Sequence, residues 1–121
     1  MSRILIADDD EQICAIVSRL LNHDGHDVTA VYSGAEAIAT LRTSAFDLLL
    51  LDLVMPKKGG IETIMEIRGE VPQLPIIVMS GQVRLEEESI NRLVQHYGAI
   101  ASLAKPFSSE ELRSAVTVAL A

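Results

Sequence analysis

The chain has 121 residues, 49% hydrophobic but only 3% aromatic and without Trp, so its length supports one domain around a core of Leu, Ile, Val and Ala. Its 17 Asp and Glu outweigh 10 Lys and Arg, giving a formal net charge of −7, and the longest basic cluster is the pair Lys57-Lys58. That balance makes a phosphate backbone or an anionic membrane a poor direct partner for the chain on its own, because no basic run offsets the repulsion.

Short apolar runs alternate with helical periodicity along the chain. Ile4 to Ala7 is a first strand. The helix Glu11 to about Asn22 follows, with Ile13, Ile16, Val17, Leu20 and Leu21 on one face. Gly25 stops it, since glycine accepts the left-handed backbone beyond a helix end. Asp27 to Tyr32 is a second strand, and Ser33 with Glu36 forms an S-x-x-E capping box before the helix Gly34 to Arg42. Phe46 to Leu51 is a third strand, apolar throughout, as expected where both faces are covered. Gly59-Gly60 opens a helix reaching about Val71, which Pro72-Gln73-Leu74-Pro75 breaks ahead of the fourth strand, Ile76 to Met79. A charged helix spans Leu85 to Tyr97 and stops at Gly98. The fifth strand, Ile100 to Ala104, reaches Lys105-Pro106-Phe107. Ser108 and Glu111 make a second capping box for the last helix, which ends at Ala121.

Five strand–helix repeats predict an α/β doubly wound, five-stranded parallel sheet with five helices over its two faces, in one domain spanning residues 1–121. The strand order 2-1-3-4-5 places a ligand crevice beyond the carboxyl ends of strands one and three. The lone cysteine, Cys14, excludes an internal disulfide, reads as a buried helical thiol beside Ile13, Ile16 and Val17, and fits a reducing cytosol. Met1-Ser2-Arg3 runs straight into a strand without a signal peptide's apolar region, and no apolar stretch approaches bilayer-spanning length. A cytoplasmic protein with no membrane partner is expected.

The run Leu48-Leu49-Leu50-Leu51-Asp52-Leu53-Val54-Met55-Pro56 delivers a carboxylate to the end of a buried strand, and Ile4-Leu5-Ile6-Ala7 does the same for Asp8-Asp9-Asp10. In the proposed fold Asp8, Asp9, Asp52, Ser80 and Lys105 share one sheet edge. Asp9 and Asp52 offer oxygen ligands to Mg²⁺, a hard cation that keeps waters and shares itself with a substrate phosphate. The backbone carbonyl of Val54 adds a third protein ligand, and Asp8 holds the metal through water. Lys105 would neutralise one phosphoryl oxygen and Ser80 would donate to another. Asp52 can attack phosphorus in line, giving an aspartyl phosphate. The cation matters doubly, because clustered carboxylates repel one another and the anionic donor.

The segments Ile-Leu-Ile-Ala-Asp-Asp-Asp, Leu-Asp-Leu-Val-Met-Pro with Gly60, Ile-Val-Met-Ser-Gly and Ala-Lys-Pro-Phe occur in that order over essentially the whole chain. Together they resemble the receiver domain of two-component response regulators, whose fold is flavodoxin-like. The resemblance implies that Asp52 takes its phosphoryl group from a phosphohistidine on a sensor histidine kinase or histidine phosphotransfer domain. It implies a cis peptide before Pro106, aiming Lys105 into the pocket. The phosphoryl group is expected to shift a pre-existing equilibrium of the face formed by the fourth helix, fifth strand and fifth helix, with the message passing to a separate downstream protein, onward along a phosphorelay, or to a detached output domain. The chain departs from the family at Ser102, where Tyr or Phe is usual, at Gly59, where an acid is common, and in the length of Ser80 to Lys105.

Plainer readings compete at several positions. Asp10 and Glu11 suit an N-cap and a first-turn acid. His23-Asp24-Gly25-His26-Asp27 needs only a glycine-centred helix stop rather than a metal, and Glu86-Glu87-Glu88 a solvated face. Met55, Met65 and Met79 fill the core or the pocket rim. An aspartate-nucleophile phosphohydrolase would want a second carboxylate two residues beyond Asp52, where Val54 stands, so turnover enzymology is not expected. A scaffold that binds without being phosphorylated is the other alternative, favoured by Ser102 alone.

Overall fold

A computed structural model describes residues 2–53, 55, 60–81, 96 and 101–121. The elements run β1 (Arg3–Ala7), α1 (Glu11–His23), β2 (Asp27–Val31), α2 (Gly34–Thr43), β3 (Leu48–Asp52), α3 (Gly60–Glu70), β4 (Ile76–Ser80), β5 (Ala101–Ala104) and a C-terminal helix, α4 (Ser109–Leu120). The charged helix expected over Leu85 to Tyr97 lies outside the described residues except for His96.

All strand pairs are parallel and the order is β2-β1-β3-β4-β5, as the alternation of elements predicts. The period-two pleat sorts the apolar strands into two layers. Leu5, Ala7, Leu49, Leu51, Ile76 and Val78 face α2 and α3, meeting Ala37, Ile38, Ile64 and Ile67. Ile4, Ile6, Leu48, Leu50, Ile77, Met79 and Leu103 face α1 and α4, meeting Val17, Leu21, Leu112 and Val116. Every residue of β3 and β4 is buried, so the continuous apolar runs reflect coverage on both faces.

Local chemistry fixes the helix ends. Asp10 caps α1 with one carboxylate oxygen, accepting from the Gln12 and Ile13 amides at 2.9 and 3.3 Å. At the other end Gly25 adopts φ 94°. The Gly25 amide bonds the Asn22 carbonyl and the His26 amide the Leu21 carbonyl, the paired bonds of a Schellman stop. The Ser33 and Glu36 pair differs in part from expectation. Ser33 Oγ accepts from the Glu36 amide, but the Glu36 carboxylate reaches one residue further back, to the Tyr32 amide. Ser108 and Glu111 form the full reciprocal box, at 3.0 and 3.2 Å. Replacing Ser108 with Ala should therefore cost about 1 kcal/mol, read as a lowered urea midpoint at unchanged slope.

Three expectations need correction. β3 spans Leu48–Asp52, because Asp47 is engaged instead with Arg3 through paired backbone and side-chain bonds, while ladder pairing carries on to Asp52 opposite Met79. The buried face of α1 is Cys14, Val17 and Leu21, and Ile16 stands outside it, 61% exposed. Met65 is likewise exposed on α3, whereas Met55 and Met79 are buried.

Candidate functional site

The parallel sheet aligns its carboxyl ends, so residues distant in sequence meet at one edge. Asp8 follows β1, Asp52 and Ser80 are the last residues of β3 and β4, and Lys105 follows β5. Carboxylate oxygens of Asp8, Asp9 and Asp52 all lie within 4.8 Å of one another. Asp8 is fully buried and Asp52 is 4% exposed, while Asp9 is open to solvent. Such a set, hard oxygen donors from three carboxylates with a deep floor and one exposed member, fits a hard divalent cation.

Asp8 is held at several points. Its backbone amide donates to the Val31 carbonyl at 3.2 Å, and its Oδ1 accepts from the Asp10 amide at 2.9 Å. Its Oδ2 accepts from Lys105 Nζ at 2.6 Å. The Cys14 thiol donates to its carbonyl at 3.3 Å. Burial, then the nearby Asp8 charge, pushes that thiol up to about 11, so it remains a protonated donor at neutral pH.

Lys105 Nζ also lies 3.4 Å from Asp52 Oδ2. Burial pulls this ammonium down, but its hydrogen bond to Asp8 and the charges of Asp52 and Asp8 outweigh it, and its pKa stands above the ordinary value. The Lys105–Pro106 peptide is cis, as the resemblance implies, and the Lys105 amide donates to the Ser80 carbonyl at 2.7 Å. Gly81 closes this corner: a Cβ there would come 2.6 Å from Lys105 Cβ, so glycine lets the β4 end pass against the lysine stem.

Asp8, Asp9, Asp52 and Lys105 thus converge on one cavity of about 560 Å³, lined also by Asp10, Ile13, Ile16, Val17, Gly81, Pro106 and Phe107. Ser80 is buried at the same edge but is not among the lining residues. Val54 lies outside the described residues. Ser102 is exposed on β5, paired in register with Val78. Sequence reasoning missed three features: the Lys105–Asp8 ion pair, the Cys14 donor and the apolar wall of the cavity. The first had a signal, since Lys105 is the cation that the motif brings to an edge crowded with acids.

An acidic pocket at the carboxyl edge of a 2-1-3-4-5 sheet, with a buried carboxylate and a lysine behind a cis proline, defines a class, and comparison with known proteins bears this out. The sequence pattern of the response regulator receiver domain matches residues 4–117, and the chain belongs to that family. It is a receiver domain of two-component systems, a signalling module. The chain is 38% identical over 112 residues to the transcriptional regulatory protein CpxR of Klebsiella pneumoniae, covering 93% of this chain and 46% of CpxR. It is 36% identical over 118 residues to ZraR of Salmonella typhimurium, covering 98% of this chain and 26% of ZraR. The chain therefore spans about half or less of the length of these relatives. Among solved structures, the Francisella response regulator 1452 receiver domain superposes with a TM-score of 0.87 at 29% identity, covering 99% of this chain and 97% of that one. The Vibrio cholerae chemotaxis protein CheY4 superposes at 0.89 with 28% identity, covering 99% of each chain.

Proposed function

We propose that Asp52 is the phosphoacceptor, taking its phosphoryl group from a phosphohistidine on a sensor histidine kinase or histidine phosphotransfer domain. The observation that carries this reading is the buried Asp52 carboxylate, clustered with Asp8 and Asp9 and lying 3.4 Å from the Lys105 ammonium. Asp8, Asp9, Asp52 and the Val54 carbonyl would hold Mg²⁺, which supplies charge neutralisation between the carboxylates and the incoming phosphoryl oxygens. Asp52 presents its carboxylate to phosphorus, and its burial excludes most water from the reacting atoms. Lys105 turns from Asp8 toward a phosphoryl oxygen, exchanging one anionic partner for another. Ser80, at the end of β4, donates its hydroxyl to a further phosphoryl oxygen.

Residues 1–121 act as one receiver unit. The phosphoryl group shifts a pre-existing conformational equilibrium that a downstream protein or an output domain reads. The unit is cytoplasmic and is phosphorylated rather than turning over substrate. In support, no helix among the described residues is long and apolar enough to cross a membrane, and the charge of −7 disfavours direct nucleic-acid contact.

Intact mass after incubation with acetyl phosphate tests the reading. One added phosphoryl group is expected in the wild type with Mg²⁺, and none without the metal or in Asp52→Asn. An equal adduct in Asp52→Asn would place the acceptor elsewhere. If the wild type also stayed unmodified and Mg²⁺ plus beryllofluoride left the fold unaltered, the phosphorylation mechanism would be lost.

A further inference from the structure

Among the described residues, the lining of the cavity holding Asp52 has two chemically distinct sides. Asp8, Asp9, Asp52 and Lys105 form one. Ile13, Ile16 and Val17 from one face of α1, with Pro106 and Phe107 from the loop before α4, form the other. At about 560 Å³ it falls in the range of small-molecule pockets, roughly 300–1,000 Å³, and far exceeds what a phosphoryl group and a cation require. The apolar side is firmly built, since Ile13 and Phe107 pack against the core layer beneath α1 and α4.

Depth varies around the cavity. Asp52 is 4% exposed, whereas Ile16 is 61% exposed and Pro106 is open to solvent. The Asp52 carboxylate therefore sits at the floor and Ile16 and Pro106 at the mouth, while Val17 is buried and Asp9 stands open at the rim. In-line attack sends the leaving group away from the nucleophile, which here means toward that mouth.

Resting on the reading of Asp52 as phosphoacceptor, we propose that Ile13, Ile16, Pro106 and Phe107 form a leaving-group subsite that selects acyl phosphates carrying a short alkyl chain over acetyl phosphate. In this step an Asp52 oxygen forms a bond to phosphorus as the bond from phosphorus to the acyl oxygen breaks. The carboxylate departs with the electron pair, and no proton is transferred. In the bound donor the alkyl chain lies on Ile16 and Phe107 while the phosphoryl oxygens lie toward Lys105 and the carboxylate cluster.

A fully buried methylene is worth about fourfold, so one half covered at this open mouth is worth about twofold. Acetyl, propionyl and butyryl phosphate have leaving groups of nearly equal basicity, so their intrinsic reactivities match. Timed quenches read by intact mass, with Mg²⁺ and subsaturating donor, should give second-order rates rising about twofold per methylene. The butyryl-to-acetyl ratio should fall to near one in Ile16→Ser. It should persist in Val118→Ser, a comparably exposed apolar residue on α4 outside the cavity.

Equal rates for the three donors in the wild type would overturn the subsite and leave the apolar wall to some other occupant, such as a side chain of a protein donor. A preference that survives Ile16→Ser would overturn it too. Both results leave Asp52 as the acceptor, whereas no adduct from any donor, phosphoramidate included, would remove the acceptor and the subsite together.

Discussion

Lys105→Met should lower stability at neutral pH without divalent cation by about 3 kcal/mol, the lower end of what stripping one partner from a buried pair costs. The physical reason is the mismatch between burial and charge. Asp8 is wholly buried and Asp52 nearly so, and Lys105 lies within 2.6 Å of the first and 3.4 Å of the second. Methionine keeps the stem that packs beside Gly81 but removes the ammonium, leaving both carboxylates without that compensation. A domain stable by roughly 5–15 kcal/mol would lose a sizeable share of it.

The pH dependence has a definite sign. The Lys105 pKa is raised above its ordinary 10.5, so its stabilisation is complete below that value and is lost as pH rises through the higher folded-state value. Wild type and variant should therefore converge only in strong alkali. Mg²⁺ should narrow the gap at neutral pH by supplying positive charge to the same carboxylates. Urea unfolding at neutral and alkaline pH, with chelator and with Mg²⁺, measures both effects. Equal stabilities at neutral pH in chelator would mean that the pair contributes nothing net.

The layout that brings these groups together was legible wherever the signal was local. Short continuous apolar runs located most of the strands, Asp10, Gly25 and Ser108 marked helix ends, and the alternation of strand and helix implied the parallel order. What stayed hidden depended on partners far along the chain. The extension of β3 to include Asp52 rests on its pairing with Met79, which no run around Asp52 reveals. The inclusion of Ile16 on the core face followed from helical spacing alone, which gives the angle of a side chain but not what stands opposite it. Across from Ile16 the β5–α4 loop carries Pro106 and Phe107 around a cavity, so that position ends as pocket wall. For the site, sequence spacing could supply residue types but not depth. Asp8 and Asp9 are adjacent acids in one motif, and only the fold separates a buried anchor from an exposed arm.

That separation gives the second large effect. Asp9→Asn should weaken Mg²⁺ binding at least about tenfold, since even residues that only orient metal ligands cost 10–100-fold when removed. Its stability in chelator should stay within about 0.5 kcal/mol of wild type, because an exposed carboxylate beside two others has no burial to lose and some repulsion to relieve. Asp8→Ala should behave differently. It removes the closest partner of Lys105 and the acceptor of the Asp10 amide that sets the start of α1, so stability should fall by about 2 kcal/mol or more alongside metal affinity. Calorimetric Mg²⁺ titration paired with urea unfolding in chelator separates the two residues. Wild-type affinity in Asp9→Asn would place the cation away from this cluster. A large stability loss in the same variant would instead mean that Asp9 is held by the fold as tightly as Asp8, contrary to its open position at the rim.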